Sequence, residues 1–292
     1  MKLSLGTVQF GLDYGITNQS GKTTSKEVST VLAFAEKNDV TILDTAFAYG
    51  DSEEVLGRQD LSNFKVITKM AAIQSKYIEI VDIIQMEKVF LKSLTNMGIQ
   101  SVYGLLIHSP SDLDKKNGEK IYEKLVELKA RGLVKKIGVS VYDNTEIDDL
   151  YNRYSFDLIQ IPINVLDQRL LNGKTLQMLK KKNVEIHARS IFLQGIMLTK
   201  PSTLDYRFKE AVITLNQYNA ELFEQGLSPL EGTLLFINQV KEIDYAVVGV
   251  NNTGQLEEVY NAYKKVKAGV ETHIDFTKYA IHVEKIIDPR KW

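Results

Sequence analysis

Eight short apolar segments, each followed by a stretch of helical periodicity, are the feature that most constrains how this chain folds. This alternation is typical of parallel strands joined by crossover helices, which bury both faces of the sheet. The segments predicted to be strands span residues 3–8, 40–43, 64–68, 102–107, 136–139, 158–161, 184–188 and 245–248. Eight such units in 292 residues predict an α/β protein with a single (β/α)8 TIM barrel, for which about 250 residues are typical.

An open dinucleotide-binding sheet is the alternative arrangement, but it usually has a Gly-x-Gly-x-x-Gly turn after its first strand. The chain has no such turn there, and no linker or low-complexity segment divides it, so residues 1–292 are predicted to form one domain. Two segments exceed ordinary barrel loops, one at residues 194–205 and a tail at about 269–292. The tail is expected near the barrel mouth, with a docked helix around Tyr279, Val283 and Ile286.

Capping residues predict where several helices begin and end. Thr24 is followed three residues later by Glu27, the spacing of a reciprocal capping box. Gly98 and Gly132 are predicted to end the helices before them, because glycine readily adopts the left-handed conformation found at helix C-termini.

Charge and composition exclude several classes of protein. The net charge of −1 gives no electrostatic reason to expect nucleic acid or an anionic membrane as a partner. Without cysteine there are no disulfides, thiolate metal sites or cysteine nucleophile, and no metal site is expected from the other residues. No apolar run reaches the roughly 18 residues of a membrane span, and the first residues form too short an apolar run for a signal peptide. We therefore expect a soluble cytoplasmic protein.

Four polar residues follow consecutive predicted strands where each strand ends. Asp44 and Tyr49 follow strand two, Lys69 follows strand three and His108 follows strand four. Strand ends meet at one mouth of a barrel, where the chemistry of such folds is done, so these residues are predicted to converge. A phenol with a pKa of about 10 is a poor acid near neutrality, but a neighbouring ammonium stabilises the phenolate. The set predicts proton delivery to a developing alkoxide, with Asp44 holding Lys69 and His108 orienting the carbonyl oxygen.

The sequence around these residues resembles the aldo-keto reductase family. The family's signature of Asp-Thr-Ala, Tyr-Gly, Ser-Glu and Leu-Gly is filled at residues 44–46, 49–50, 52–53 and 56–57. The resemblance extends from Gly6 to Glu258. It implies reduction of an aldehyde or ketone to an alcohol by hydride transfer from NAD(P)H, with Tyr49 as proton donor and the other three residues assisting it.

The resemblance also implies where the cofactor binds. Residues matching the family's contacts to the dinucleotide are Gly6, Thr7, Asp44, Ser140, Gln160, Arg189, Ser190, Gly195, Gly249, Asn251, Gln255 and Glu258. Gln160 matches the glutamine that holds the carboxamide of the nicotinamide. NADP(H) is the expected cofactor, with NAD(H) as the alternative because Gln255 stands where many members have an arginine.

Two positions depart from the family pattern beside the predicted reaction centre. Val141 stands where an asparagine is common after strand five. Arg189 replaces a tyrosine that usually stacks on the nicotinamide, and three roles stay open for it: stacking on that ring, binding an anionic substrate group, or pairing with Glu185 or Asp157. For His187, the alternatives are a place in the mouth beside Arg189 or a buried, hydrogen-bonded position.

Other functions for the same fold also stay open. One is a catalytically silent nicotinamide-binding sensor or accessory subunit. Another is a non-redox lyase or isomerase of sugar phosphates, with residues 249–252 as a phosphate loop. The carbonyl substrate is expected to be a small molecule of unknown identity, and the protein is expected to be a monomer, as family members often are. Many members begin with a hairpin that plugs the barrel, whereas here core side chains or another segment are expected to close the bottom.

Overall fold

Eight parallel strands form one closed barrel in chain order, with the last strand pairing with the first. The computed structural model describes the backbone of residues 1–292 and the side chains of all residues except Asn144 and Thr145. The strands are β1 Lys2–Gly6, β2 Ile42–Asp44, β3 Lys65–Met70, β4 Val102–Ile107, β5 Val134–Ser140, β6 Leu158–Pro162, β7 Glu185–Arg189 and β8 Tyr245–Gly249. The prediction of a (β/α)8 barrel is confirmed.

Helices surround the barrel and connect its strands. They are α1 Val8–Gly11, α2 Ser25–Lys37, α3 Ser52–Leu56, α4 Ile80–Met97, α5 Glu119–Ala130, α6 Asn144–Arg153, α7 Thr175–Lys181, α8 Lys209–Glu224, α9 Pro229–Gln239, α10 Thr253–Ala268 and α11 Glu284–Ile287. Each long helix packs one apolar face against the barrel, as α2 does with Val28, Val31 and Leu32. Because those residues recur with the helical period, the sequence predicts the helices. In the part of the chain that is described, every helix is too short or too polar to cross a lipid bilayer.

Element ends differ from the sequence prediction at most strands; β1 ends at Gly6 rather than at residue 8, and β2 begins at Ile42 rather than at residue 40. The Thr24 hydroxyl accepts a hydrogen bond from the Glu27 amide, but the Glu27 carboxylate accepts from Thr253 of α10 instead, so the predicted capping box is one-sided. Lys69 lies inside β3 rather than after it, because that strand continues to Met70. The predicted helix stops are confirmed, since Gly98 follows α4 with a φ of 65° and Gly132 follows α5 with a φ of 76°.

The two long segments are folded into short helical pieces. The predicted loop at 194–205 overlaps the 3-10 turns Leu193–Leu198 and Pro201–Thr203, and a third turn after it, Tyr206–Phe208, leads into α8. In the tail, the turns Phe276–Tyr279 and Pro289–Lys291 flank α11, so several short turns replace one docked helix. The Trp292 ring packs 5.2 Å from the ring of Phe208, and its Nε1 donates to the Ile286 carbonyl at 3.2 Å. These contacts bring the tail back against the barrel.

Side chains inside the barrel close the end opposite the mouth. A separate core cluster fills the interior, and consists of Ile42, Ile67, Leu106 and Leu158 with Tyr103 and Tyr245 packed against it. Near the strand N-termini, the Glu185 carboxylate accepts hydrogen bonds from Lys136 Nζ at 2.7 Å and Tyr103 OH at 2.8 Å. His187 is fully buried with its Nε2 2.8 Å from the same carboxylate. The buried alternative for His187 is therefore confirmed, and its place in the mouth is excluded.

The charge on Glu185 is expected to stabilise this end of the barrel. Burial raises the pKa of Glu185, but hydrogen bonds from His187 and Lys136 outweigh it and lower the pKa from 4.5 to about 2. A carboxylate with a depressed folded-state pKa stabilises the fold above its unfolded pKa and loses that contribution as the pH falls towards the folded value. We expect Glu185→Gln to lower the free energy of unfolding at neutral pH by about 1–3 kcal/mol and to flatten its pH dependence below pH 5.

Urea unfolding followed by circular dichroism, repeated from neutral pH down to the lowest pH at which the protein stays folded, measures both effects. Glu123→Gln, at an exposed position on α5, is the matched control. If the free energy of unfolding of Glu185→Gln had the same pH dependence as that of the unmodified protein, the lowered pKa of Glu185 would be contradicted.

Candidate active site

An ion pair between Asp44 at the end of β2 and Lys69 in β3 lies at the centre of the candidate site. Lys69 Nζ is 2.7 Å from each Asp44 carboxylate oxygen and 3.1 Å from the Thr45 carbonyl oxygen. The Lys69 and Asp44 side chains are 1% and 6% exposed. Burial lowers the pKa of Lys69, and the Asp44 carboxylate opposes that shift. The ammonium therefore depends on Asp44 for its charge.

Gln160 of β6 extends this pair across the barrel. Its Nε2 donates a hydrogen bond to Asp44 Oδ1, and its Oε1 is buried without a hydrogen-bond partner among the described atoms. The side chain is fully buried and lies behind the cavity wall rather than on it. Its predicted contact with a cofactor carboxamide therefore rests on Oε1, an acceptor that the protein does not use.

Hydroxyl groups and a close glycine contact hold the loop that carries Tyr49. Ser52 Oγ donates to the Thr7 carbonyl at 2.9 Å and lies 3.2 Å from Thr45 Oγ1. Gly11 of α1 packs so closely that a Cβ atom added to it would lie 1.8 Å from the Tyr49 carbonyl oxygen. A larger residue would displace the loop, so glycine at this position helps to fix where the phenol lies.

Tyr49 lies between the ion pair and His108. Lys69 Nζ is 5.2 Å from the centre of the Tyr49 ring, and the His108 ring is 6.3 Å away at an angle of 85°. Although part of Tyr49 reaches the cavity, burial raises the pKa of its phenol, Asp44 raises it further, and Arg189 opposes them. The sequence-based expectation that the pKa of Tyr49 is lowered is wrong as a net effect, because burial, and after it the Asp44 carboxylate, raise that pKa.

His108, the residue after β4, is a neutral imidazole near pH 7. Burial, together with the positive charges of Lys69 and Arg189, lowers the pKa of His108 to about 4. A neutral imidazole has one N–H donor and one acceptor nitrogen. It is therefore able to orient a carbonyl oxygen without adding charge to the site.

Arg189, the last residue of β7, has neutral hydrogen-bond partners. Its Nε donates to Ser140 Oγ at 3.2 Å, Nη1 to Ser190 Oγ at 3.3 Å and Nη2 to the Val141 carbonyl at 3.1 Å. Val141, which stands where the family often has asparagine, thus contributes its backbone to the site. The Arg189 side chain lies at the junction of the β5 and β7 ends.

The ion pair considered for Arg189 is not formed. Glu185 pairs with Lys136 at 2.7 Å, and Asp157 pairs with Lys129 at 2.6 Å. The roles that stay open for Arg189 are therefore stacking on the nicotinamide ring and binding of an anionic group.

Tyr142 connects Arg189 to the C-terminal tail, a contact that the sequence did not predict. The Cζ atoms of Arg189 and Arg290 lie 4.3 and 3.5 Å from the centre of the Tyr142 ring. Two guanidinium groups this close to one ring collide unless they occupy opposite faces. Arg290 is itself paired with Asp288, with Nη2 2.6 Å from Oδ2. The tail was expected near the mouth, but no sequence pattern connects residues 142, 189 and 290, so their contact could not be predicted.

A cavity of about 700 Å³ at the barrel mouth gathers the predicted site residues. All four predicted catalytic residues line it, as does every predicted cofactor residue except Gln160. Lining residues that sequence reasoning missed include Gln9, Tyr14, Asn18, Tyr142 and Leu198. Among the side chains described, no group of three His, Asp or Glu residues is placed to hold a metal ion. The geometry brings the residues together, and their contacts with a cofactor stay a prediction.

Comparison with known proteins identifies the family and supports the fold. Residues 2–272 match the family described as the aldo/keto reductase family. No curated protein matches the sequence. Among solved structures, the chain is similar to a glycerol dehydrogenase from Gluconobacter oxydans, at 19% identity over 94% of this chain and 93% of that one, with a TM-score of 0.66. It is also similar to the holo form of an aldo-keto reductase from Bacillus halodurans, at 15% identity over 100% and 95% of the two chains, with a TM-score of 0.73.

The environment of His108 has a spectroscopic consequence. Of the four histidines, His108 is expected to stay neutral as the pH falls from 8 to 5, because its pKa is lowered from 6.5 to about 4. Titration of the histidine ring signals by NMR measures this, and the signal missing from His108→Asn identifies the residue. A His108 signal that titrates near pH 6.5 would show that the imidazole is not shielded as the structure indicates.

Proposed function

The chain belongs to the aldo/keto reductase family, and on this premise we propose that it reduces an aldehyde or ketone to an alcohol with NAD(P)H. The proposal rests on one observation, the convergence of Asp44, Tyr49, Lys69 and His108 on a single cavity. When bound, the cofactor supplies the hydride for the carbonyl carbon. The chain itself must then stabilise charge on the carbonyl oxygen and deliver a proton to it.

Tyr49 is the proton donor in this proposal. Burial and Asp44 raise the pKa of its phenol, so the hydroxyl is protonated near neutrality. The alkoxide formed during reduction is a strong base, and it takes the phenol proton to become the product alcohol. The Lys69 ammonium, 5.2 Å from the ring centre, then lies close enough to stabilise the resulting phenolate.

His108 and the Asp44–Lys69 pair act as the supports of that donor. The neutral imidazole of His108 donates an N–H hydrogen bond to the same carbonyl oxygen. This hydrogen bond stabilises the negative charge that develops on the oxygen. Asp44 fixes Lys69 through two contacts of 2.7 Å. Because both groups are buried on adjacent strands, the donor's surroundings are arranged before substrate binds.

The residues of the mouth fit a nicotinamide dinucleotide. Gln9 and Gln160 each keep a buried amide oxygen without a partner among the described atoms, and a carboxamide N–H is a suitable donor to such an acceptor. The cavity lining continues from these residues to Gln255 and Glu258 on α10. Residues Gly6, Gly249 and Ser190 supply close backbone and hydroxyl groups along that path.

Loss of the Tyr49 hydroxyl is expected to remove turnover without removing cofactor binding. General acid catalysis contributes about 10²–10⁴-fold to a rate. Tyr49→Phe should therefore lower kcat for aldehyde reduction by at least about 10²-fold. The decrease in NADPH absorbance measures the rate with a panel of aliphatic and aromatic aldehydes. Tyr263→Phe, whose hydroxyl lies 3.5 Å from the Met1 carbonyl outside the cavity, is the matched control.

Two results of this experiment would count against the proposal. An unchanged kcat in Tyr49→Phe would exclude the phenol as proton donor. Saturable cofactor binding without reduction of any carbonyl compound by the unmodified protein would favour the silent sensor that shares this fold.

Cofactor preference is expected to be weak, and to depend on Gln255. Lys69 and Arg189 are the cations among the described lining residues, and neither belongs to the segment 249–258, which carries the Glu258 carboxylate. This segment therefore offers no cation of its own to the 2′-phosphate that distinguishes NADPH. We expect NADPH and NADH to bind within about tenfold of each other, and Gln255→Arg to shift the ratio towards NADPH by about tenfold or more, as a charged hydrogen bond would.

Fluorescence titration of the purified protein with each dinucleotide measures both affinities. Gln225→Arg, which adds the same charge after α8, is the control for a nonspecific effect. If neither dinucleotide bound at micromolar concentration, the reductase proposal would be withdrawn.

A further inference from the structure

We propose that the carbonyl substrate carries an anionic group, a carboxylate or a phosphate, and that Arg189 binds it. This inference rests on the proposed reductase function, because it names the substrate class of the same cavity. Four observations carry it: the charges of the lining, the unused donors of Arg189, its fixed position and its place beside the proton donor.

The charges of the cavity lining leave Arg189 without a compensating carboxylate. Lys69 is neutralised by Asp44 at 2.7 Å. Arg290, the second guanidinium beside the Tyr142 ring, is neutralised by Asp288 at 2.6 Å. Among the residues described, the partners of Arg189 are two hydroxyls, one carbonyl and one aromatic ring. A partly buried cation with neutral partners is costly to keep, unless a ligand supplies the opposite charge.

The hydrogen bonds of Arg189 leave donors for such a ligand. A guanidinium has five N–H groups in a planar fork. The described contacts to Ser140, Val141 and Ser190 use one on each nitrogen, and the remaining two belong to Nη1 and Nη2. Two N–H groups on neighbouring nitrogens match the two oxygens of a carboxylate or phosphate.

The guanidinium is held in place before a ligand arrives. Its Cζ lies 4.3 Å from the centre of the Tyr142 ring, and the Cζ of Arg290 lies 3.5 Å from the same centre. The tail that carries Arg290 is anchored by the contact between Trp292 and Phe208. A donor fixed in this way loses little conformational entropy when it binds an anion.

Arg189 lies close enough to the reaction centre to act on a substrate. Arg189 and its partner Ser140 line the same cavity as Tyr49 and His108, and the Arg189 charge opposes the burial that raises the pKa of Tyr49. The cofactor's own pyrophosphate is separated from the nicotinamide ring by a ribose, whereas Arg189 is placed among the residues around the phenol. A substituent on the reacting carbonyl compound is therefore the anion that fits this position. Stacking of the guanidinium face on the nicotinamide is compatible with this role, because the anion binds at its edge.

The test compares pairs of aldehydes that differ in one charge. The probes are 4-formylbenzoate with its methyl ester, succinate semialdehyde with butanal, and glyceraldehyde 3-phosphate with glyceraldehyde, each at saturating NADPH. We expect kcat/KM to favour the anion by about 10- to 100-fold in at least one pair, as a charge-assisted bidentate contact would. Raised salt should reduce this preference, since it screens the charge. Carboxylate and phosphate pairs distinguish which anion is preferred.

Variants of the stack assign the preference to the charge of Arg189. In Arg189→Leu the ratio of kcat/KM for anionic and neutral aldehydes should fall to about one. Arg189→Lys keeps the charge without the fork and should retain part of the preference. Arg290→Leu keeps the Arg189 charge and removes one of the contacts around Tyr142, so it should lower the ratio less than Arg189→Leu does.

Direct binding supplies a second readout that does not depend on turnover. Calorimetry of terephthalate with the NADPH-loaded protein should show binding that is lost in Arg189→Leu.

A ratio of kcat/KM for anionic and neutral aldehydes that is unchanged by Arg189→Leu, or lost equally in Arg290→Leu, would overturn the inference. So would weaker NADPH binding in Arg189→Leu with the substrate ratio intact, because Arg189 would then serve the cofactor alone. Reduction of neutral aldehydes without any anion preference would overturn this inference and leave the proposed reductase function standing. No reduction of any aldehyde would count against the reductase, and terephthalate binding would still decide the role of Arg189.

Discussion

The buried ion pair between Lys69 and Asp44 is the interaction on which the candidate site depends. An isolated buried charge costs several kcal/mol, and here each charge meets its partner at 2.7 Å. Gln160 and the Thr45 carbonyl complete the set, so that β2, β3 and β6 are joined inside the barrel. The site is therefore held by strands, whose positions barrel closure fixes, and only Tyr49 and His108 are carried by the segments that follow them.

That pairing also decides which cation gives the site its positive field. Burial, and after it the Asp44 carboxylate, raise the pKa of Tyr49, so its phenol stays protonated. Arg189 is the lining cation whose described partners are neutral. Its charge helps to keep His108 neutral. Lys69 thus has a structural role beside the proton donor, whereas Arg189 supplies positive charge to the cavity.

Much of this site was predictable because its signals are local. Asp44 and His108 stand directly at the ends of apolar runs, and a closed barrel makes the ends of consecutive strands neighbours. The Tyr49 loop was predictable from glycine and acidic residues that begin the next helix. Contacts that join distant segments were not predictable in this way. Glu27 has the spacing of a local cap but binds Thr253 across the chain, and Gln160 donates to Asp44 from four strands away.

The sequence by itself determined the order of the strands, the closure of the barrel and the residues that reach its mouth, since hydrophobic periodicity and strand ends are properties of neighbouring residues. The tertiary structure alone decided the direction of the Tyr49 pKa shift, the partners of Arg189 and the stack of Tyr142 between two guanidiniums. It also decided how side chains around Glu185 close the barrel's bottom. These features depend on burial and on distances between residues far apart in the chain. No local pattern encodes either quantity, and both set the electrostatics of the site.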